Sequence, residues 1–187
     1  MKILTGSFKG RRIELAADEN LRPTSDLVRK AVFDALQGAF EGKRVLDLFS
    51  GTGAFGFEAL SSGAKEVVWV ESEVSQAENI EKTLSSLGLE DRGRVLRSDV
   101  FKAIESLGRD EESFDFIFLD PPYHLGLGTK TVKILSESTL LRKGAIAVLE
   151  THKTEDPPEN PGKLKVLKTK KHGDTKITFY GCHPRNL

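Results

Sequence analysis

The segment Asp120-Pro121-Pro122-Tyr123 combines residue types that can hold a planar amine. It follows the apolar run 114–119, where a buried strand is expected to end. Two consecutive prolines stiffen the backbone and remove two amide donors. The Asp120 carboxylate and the Pro121 carbonyl can each accept one proton of an exocyclic NH2 group, and the Tyr123 ring offers a face on which the base can stack. On these residues alone, an ordinary proline turn after a strand is the alternative.

A second segment, Asp47-Leu-Phe-Ser-Gly51-Thr-Gly53-Ala-Phe-Gly56, lies between the first predicted core strand and a helix. Glycines at 51 and 53 allow the backbone to approach a ligand closely, and helix N-terminal amides add a positive end. Glu71 ends the second predicted strand, 18 residues after Gly53, where it can accept hydrogen bonds from ribose hydroxyls. This spacing satisfies the fingerprint of dinucleotide-binding folds, so an NAD-dependent oxidoreductase is one hypothesis.

Two further acids favour a different ligand. Asp47 precedes the glycines at the strand end, where a carboxylate repels a pyrophosphate but suits an ammonium group or its bound water. Asp99 ends the third predicted strand and can meet the amine of an adenine. Acids at three successive strand ends predict a cationic, ribose-bearing ligand without phosphates, and S-adenosylmethionine is such a ligand. Capping of the following helices by Glu71 or Asp99 is disfavoured, because three acids lie in register beside a glycine turn.

Strands and helices alternate along the chain and position these residues. Apolar runs predict strands at 44–49, 66–71, 94–99, 114–120 and 145–152, and helical patterns lie at 53–62, 74–87, 101–107 and 128–141. Two further strands, 163–171 and 175–181, are joined by His172-Gly-Asp174 and predict an antiparallel hairpin. The predicted fold is therefore α/β and Rossmann-like, with a mostly parallel seven-stranded sheet that ends in an antiparallel hairpin.

The N-terminus predicts a small β-hairpin. Short strand-like runs at 2–6 and 11–15 flank a loop at 7–10. We therefore predict a hairpin extension over residues 1–20 and the main domain over residues 21–187.

A helix is predicted to follow this hairpin, from Ser25 to about residue 39. Thr24 or Ser25 can cap it, and Asp26 places a negative charge in its first turn. The helical spacing predicts six core-facing residues: Leu27, Val28, Ala31, Val32, Ala35 and Leu36.

Composition sets the class of protein. The chain has 187 residues, of which 38% are hydrophobic and 30% charged, as expected for one soluble globular domain. No apolar run reaches the roughly 18 residues of a membrane span, and no secretory signal is recognisable. The single cysteine, Cys182, excludes an internal disulfide and a multi-cysteine zinc site. We expect a cytoplasmic protein without a membrane partner or a bound metal.

The net charge of zero conceals an uneven distribution of charge. Residues 1–30 carry 7 basic and 4 acidic side chains, residues 151–187 carry 8 and 4, and residues 31–150 carry 13 and 20. Basic ends that fold onto one face would form a positive surface around a less charged pocket. Ordinary surface patterning explains the same counts equally well.

The glycine segment and Asp120-Pro-Pro-Tyr123 together resemble the class I S-adenosylmethionine-dependent N-methyltransferases. Three stretches are more narrowly similar to the bacterial small-subunit (16S) rRNA guanine-N2 methyltransferase family: Gly6-Ser-Phe-Lys-Gly-Arg11, Leu21-Arg-Pro-Thr24 and Asp26-Leu-Val-Arg-Lys-Ala-Val-Phe33. The resemblance covers nearly the whole chain. The chain departs from the family at Thr5-Gly6, where paired glycines are usual.

The resemblance implies transfer of a methyl group from S-adenosylmethionine to the N2 amine of a guanine in 16S rRNA, at position 966. The residues implied to hold the guanine amine are Asp120, Pro121, Pro122 and Tyr123. Those implied to line the cofactor are Asp47, Phe49, Gly51, Gly53, Glu71, Ser98, Asp99 and Val100. Those implied to bind the RNA backbone are Lys9, Arg11, Arg12 and Arg22.

The implied partner is 16S rRNA, free or within an assembling small ribosomal subunit, and the protein is expected to act as a monomer. We call Asp120-Pro121-Pro122-Tyr123 the proline corner. A DNA adenine or cytosine N-methyltransferase is an alternative, because this corner accommodates any planar amine. Such enzymes usually need a separate target-recognition region, for which this chain has little room. A nucleic-acid-binding module without catalysis is a second alternative, which the intact cofactor and amine motifs disfavour.

Overall fold

Seven strands form one sheet in the part of the chain that the computed structural model describes, residues 1–14 and 26–182. The strands are β1 (Arg44–Leu48), β2 (Glu66–Glu71), β3 (Gly93–Arg97), β4 (Phe114–Leu119), β5 (Leu141–His152), β6 (Leu164–His172) and β7 (Thr175–Cys182). Their order across the sheet is β3-β2-β1-β4-β5-β7-β6. Strands β1 to β5 pair in parallel, whereas β7 pairs antiparallel with β5 and β6. The predicted mostly parallel sheet with its C-terminal antiparallel hairpin is confirmed.

Helices cover both faces of this sheet. In the described ranges they are α1 (Asp26–Ala35), α2 (Ala54–Ser61), α3 (Val74–Leu87), α4 (Val100–Arg109) and α5 (Leu127–Glu137). Side chains of α1, α2 and α3 pack in one apolar core, and those of α4 and α5 pack in another on the opposite face. Because both faces of the central strands are buried, these strands read as continuous apolar runs.

The first helix buries most of the predicted face but not all of it. Val28, Val32 and Leu36 are buried as predicted, but Leu27 is 64% exposed and Ala35 is also exposed. Arg29 is instead fully buried. The prediction was wrong at Leu27 and Ala35 because apolar spacing cannot show that an ion pair occupies part of the core. The predicted capping residues of this helix lie in 15–25, outside the described residues.

Arg29 is buried because it pairs with Glu58 of α2. Its Nε lies 3.2 Å from Glu58 Oε1, and both side chains have no exposed surface. Its Nη2 also donates to the Lys2 carbonyl and to Asp26 Oδ1, each at 2.9 Å. Burial lowers the pKa of Arg29, and attraction by Glu58 and Asp26 opposes this lowering. The guanidinium therefore connects α1, α2 and the first residues of the chain.

Glu58 also anchors the N-terminal hairpin. Its Oε1 accepts a bond from the Leu4 amide at 2.6 Å, and its Oε2 accepts bonds from the Thr5 amide at 3.0 Å and hydroxyl at 2.7 Å. The hairpin itself is closed by an isolated antiparallel bridge between Lys2 and Arg12. Thr5 is thus bonded to a buried acid through both its amide and its hydroxyl. The domain boundary at residue 20 lies outside the described residues and stays a prediction.

Replacing Glu58 with alanine should lower the free energy of unfolding by about 3–5 kcal/mol, because it removes the buried partner charge of the Arg29 guanidinium and leaves it the exposed Asp26. Denaturant unfolding measures the loss. The matched control is Asp34→Ala, which breaks the exposed ion pair with Lys30, 2.6 Å long, and should cost at most about 1 kcal/mol. Equal small losses in both variants would contradict a structural role for the buried pair.

Candidate active site

The chain between β1 and α2 forms a tight turn with left-handed backbone. Phe49 has a φ of 58°, Gly51 of 52° and Gly53 of 74°. A phenylalanine rarely adopts this conformation, and such strain is concentrated at functional sites. The Ser50 hydroxyl secures the turn by donating to the Asp47 carbonyl at 2.6 Å and accepting a bond from a β2 amide at 3.0 Å. We call residues 49–53 the glycine turn.

Glu71, the last residue of β2, holds the glycine turn in place. Its Oε2 accepts a bond from the Gly51 amide at 2.7 Å, and its Oε1 accepts one from the Glu73 amide at 2.8 Å. Each carboxylate oxygen has two acceptor positions, so both can still accept bonds from ribose hydroxyls. The position of Glu71 therefore fits its predicted role.

Asp47 is buried beneath the glycine turn, with 1% of its surface exposed. Its Oδ2 accepts a bond from the Gly56 amide at 3.0 Å. Burial raises the pKa of Asp47 well above its ordinary value, and repulsion by Asp120 and Glu71 raises it further, against the lowering by the Gly56 bond. Three acids therefore converge on one region.

This convergence of acids fits a cationic ligand. The ion pairs formed among the described residues involve neither Asp47 nor Glu71. A positive group bound beside them would reduce the cost of burying negative charge there. The sulfonium and ammonium groups of S-adenosylmethionine meet this requirement, whereas a pyrophosphate does not.

The raised pKa of Asp47 predicts how the stability of the fold depends on pH. The destabilising effect of this carboxylate is absent below its unfolded pKa and grows as the pH rises through its folded pKa. Asp47→Asn keeps an acceptor for the Gly56 amide and removes the charge, so we expect a higher Tm than wild type at about pH 8 and a smaller difference at about pH 5. Calorimetric scans at both pH values measure it. A Tm difference that grows towards acid would contradict the assignment.

Asp99 caps α4. Its Oδ1 accepts bonds from the Phe101 amide at 2.9 Å and the Lys102 amide at 3.3 Å. The three acids at strand ends disfavoured helix capping by Asp99, and that interpretation was wrong, because the first turn of α4 needs an acceptor. Capping through Oδ1 is compatible with a contact between Oδ2 and an adenine amine.

The residues flanking Asp99 differ in their surroundings. The Ser98 amide donates to the Glu71 carbonyl at 3.1 Å, which brings the ends of β2 and β3 together. Val100 is 6% exposed and packs in the core with α4. Ser98 is therefore next to Glu71, which holds the glycine turn, whereas Val100 has little exposed surface for a ligand to contact.

The third glycine of the fingerprint serves packing between helix and sheet. A Cβ on Gly56 would lie 2.2 Å from Trp69 Nε1. Trp69 is fully buried in β2, and its Nε1 donates to the Gly53 carbonyl at 3.0 Å. The glycine is needed because the indole occupies the space of a side chain, which is independent of any phosphate.

Asp120 lies beside the glycine turn. Leu48, which ends β1, pairs in register with Leu119, which ends β4, and the two strands are parallel neighbours. The next residues, Phe49 and Asp120, therefore begin their loops side by side. Pro121 is buried and Pro122 is exposed, so the corner starts in the core and ends at the surface.

Tyr123 is fixed at its hydroxyl. The hydroxyl donates to Glu150 Oε1 at 2.7 Å and lies 3.0 Å from Thr175 Oγ1. Glu150 is 6% exposed in β5, and Thr175 begins β7. Burial raises the pKa of Tyr123, the Thr175 bond opposes this, and the bond to Glu150 adds to it, so the phenol stays protonated. Sequence reasoning missed Glu150, although an acid within the apolar run of a central strand is a recognisable signal.

Two histidines extend the corner outward. The ring centroid of His152 lies 5.8 Å from that of Tyr123 and 4.7 Å from that of His124. The His124 amide donates to the Glu155 carboxylate, and His152 Nδ1 lies 2.7 Å from Thr154 Oγ1. The rings of Tyr123, His124 and His152 therefore lie next to one another at the proline corner.

The N-terminal hairpin contacts the C-terminal end of α2. The Ser7 amide donates to the Ser61 carbonyl at 2.8 Å, and a Cβ on Gly6 would lie 1.8 Å from the same oxygen. Ser61 ends α2, whose eight residues separate it from the glycine turn by about 12 Å. The loop that carries Lys9 is therefore at the end of α2 remote from Asp120.

The predicted RNA-binding residues are accordingly not brought together with the corner. Lys9, Arg11 and Arg12 are exposed, and Arg11 Nη2 donates to the Ser86 carbonyl near the end of α3 at 3.1 Å. Arg22 lies in 15–25, outside the described residues. Their role in RNA binding stays a prediction.

Two general features of the described residues concern ligands and membranes. No group of three or more His, Cys, Asp or Glu side chains in these ranges is arranged to hold a metal ion. None of the helices within them has the length and apolar character of a membrane span. Cys182 is buried at the end of β7, where burial raises the pKa of its thiol.

Comparison with known proteins identifies relatives over almost the entire chain. The family described as Conserved hypothetical protein 95 matches residues 1–181. Ribosomal RNA small subunit methyltransferase D of Haemophilus influenzae is 31% identical over 96% of this chain and 93% of its own length. The solved structure of the Escherichia coli protein yhhF has a TM-score of 0.84 at 26% identity and covers 99% of both chains.

A more distant structure shows the fold alone. The RNA methyltransferase of Salinibacter ruber, solved in complex with S-adenosyl-L-homocysteine, has a TM-score of 0.66 at 18% identity over 89% of this chain and 99% of its own. The fold described above is thus shared with a protein of low sequence identity. The family match and the identity over nearly full length together establish that this chain belongs to the family of the ribosomal RNA small subunit methyltransferases D.

Proposed function

We propose that this protein transfers a methyl group from S-adenosylmethionine to the N2 amine of a guanine in 16S rRNA. The observation that carries the proposal is the register of β1 and β4, which puts the glycine turn next to Asp120. A methyl donor and an acceptor amine bound at these two loops would meet. The names of the relatives, which are small-subunit rRNA methyltransferases, support the RNA substrate.

The chain offers a matching group for each part of the cofactor. Asp47 and the glycine turn would hold the amino acid portion, Glu71 would accept bonds from the ribose hydroxyls, and Asp99 would accept one from the adenine amine. When bound, the cofactor supplies a methyl group on a sulfonium, which is a good leaving group. The convergence of buried carboxylates favours this positive ligand over NAD.

Asp120 and Pro121 orient the acceptor amine. An aromatic amine is a weak nucleophile because its lone pair is delocalised into the ring. Hydrogen bonds from both amine protons to the Asp120 carboxylate and the Pro121 carbonyl favour a pyramidal nitrogen with an exposed lone pair. Such positioning can lower the activation free energy of methyl transfer by roughly several kcal/mol. The nitrogen loses one proton on methylation, and the Asp120 carboxylate is the acceptor that already holds it.

Tyr123 receives the base. A guanine in a helix has to be unpaired or flipped out before its amine reaches Asp120, which costs free energy. Stacking on the Tyr123 ring offsets this cost by about 1–3 kcal/mol. The bonds from its hydroxyl to Glu150 and Thr175 hold the ring in one orientation before the base arrives.

Mapping of methylated nucleotides tests the proposal. We expect rRNA from cells that lack this protein to lose one N2-methylguanine in 16S rRNA, at position 966 by the family resemblance, and to regain it with the intact gene. An unchanged methylation pattern would contradict it. Purified protein that methylates adenine or cytosine amines of DNA instead of rRNA would support the DNA methyltransferase alternative. Calorimetry should show binding of S-adenosylmethionine and not of NAD.

A further inference from the structure

Four lysines lie along β6, the strand at one edge of the sheet. They are Lys165, Lys168, Lys170 and Lys171, and the strand contains no acid. All are exposed except Lys170, which is half-buried. The edge strand has a neighbour on one side only, so these lysines border an open surface. We call these four residues the lysine edge.

No ion pair among the described residues neutralises the lysine edge. The ion pairs within 4 Å among the described residues involve none of its four members. The nearby Lys153 and Lys176 behave differently, because they pair with Asp174 at 2.6 Å and Asp156 at 2.7 Å. Lys171 also lowers the pKa of Asp156, but the larger influence on that acid is its bond to Lys176.

The lysine edge runs directly into the candidate active site. Lys171 pairs in register with Lys176, and the following residue, His172, pairs with Thr175. Thr175 Oγ1 in turn contacts the Tyr123 hydroxyl at 3.0 Å. From there the lysines extend over seven residues, which in a strand span about 20 Å. A polyanion that leaves the site at Tyr123 along this edge meets Lys171 on one face of the sheet and Lys170, Lys168 and Lys165 on the other.

We propose that the lysine edge binds the phosphate backbone of the RNA segment that flanks the target guanine, an inference that rests on the proposed function. The N-terminal basic loop contacts α2 and α3 instead, whereas β6 carries positive charge that continues from the proline corner. Lysines on an edge strand also prevent pairing between protein molecules. Glutamate blocks such pairing equally well and repels phosphate, which separates the two roles.

The test is the double variant Lys168→Glu/Lys171→Glu, with binding to a 16S rRNA fragment measured over a range of salt concentrations. We expect RNA affinity to fall by about 10-fold or more at low salt, and the slope of log K against log salt to shrink by about 1.4, the value for two lost contacts to single-stranded phosphates. Cofactor affinity and Tm should stay at the wild-type values. Lys168→Gln/Lys171→Gln should give a similar change of slope with a smaller loss of affinity.

The matched control is Lys65→Glu/Lys133→Glu, which makes the same charge change at exposed positions before β2 and on α5. We expect it to retain wild-type affinity and slope. If wild-type protein methylates rRNA while the lysine-edge variant keeps wild-type affinity and slope, the inference alone is overturned. Equal weakening by the control would also overturn it, because overall charge would then explain the effect. Wild-type protein that neither binds nor methylates rRNA would overturn the proposed function as well.

Discussion

Asp120→Ala is expected to abolish methyl transfer while affinity for S-adenosylmethionine stays nearly unchanged. Asp120 lies outside the glycine turn and the ends of β2 and β3, which hold the cofactor in the proposed site. Its removal takes away the acceptor that orients the amine, and loss of such positioning lowers kcat by at least about 10²-fold. Calorimetry gives the cofactor affinity, and transfer of a labelled methyl group to 16S rRNA gives kcat.

Asp115→Ala is the matched control for this variant, because it removes the same side chain at the opposite end of β4. Asp115 Oδ2 accepts a bond from the Arg44 amide at 2.9 Å and pairs with Arg142 at 3.0 Å, so its loss should reduce stability. We expect its kcat to remain near the wild-type value. Wild-type kcat in Asp120→Ala would refute the role assigned to the carboxylate.

Tyr123→Ala is expected to weaken productive RNA binding. Loss of a stacked base costs about 1–3 kcal/mol, which corresponds to an increase of about 5- to 150-fold in KM for the RNA. Tyr123→Phe keeps the stacking face and removes the hydroxyl. Because the buried Glu150 carboxylate then loses a donor, we expect a stability loss of about 1–3 kcal/mol with a smaller change in KM. Steady-state kinetics and denaturant unfolding separate these effects.

Variants of Glu150 show whether its contact with Tyr123 positions the ring. Glu150→Gln keeps an acceptor for the hydroxyl, so kcat should stay near the wild-type value. Glu150→Leu removes the acceptor, and we expect a lower kcat with unchanged cofactor affinity. An equal kcat in both variants would show that the ring needs no anchor, and wild-type KM in Tyr123→Ala would contradict the stacking role.

The sequence predicted the sheet because the pattern of each strand is local. Buried parallel strands are apolar along their length, and the glycines and acids that follow them are visible without any knowledge of the partners. The same local signals failed in part on α1, where Leu27 is exposed and the charged Arg29 is fully buried. A charge in the core is predictable only when its partner, Glu58 on another helix, is known.

The candidate site also has features that the sequence predicted and features that only the tertiary structure showed. Residue types and spacing alone identified a glycine turn, acids at three strand ends and a corner for a planar amine. The tertiary structure decided that Asp99 caps α4, that Tyr123 is held by Glu150, and that the N-terminal basic loop lies far from the corner. These features depend on contacts between segments that are distant in the chain. The pattern of one segment does not predict them, because their free energy depends on both partners.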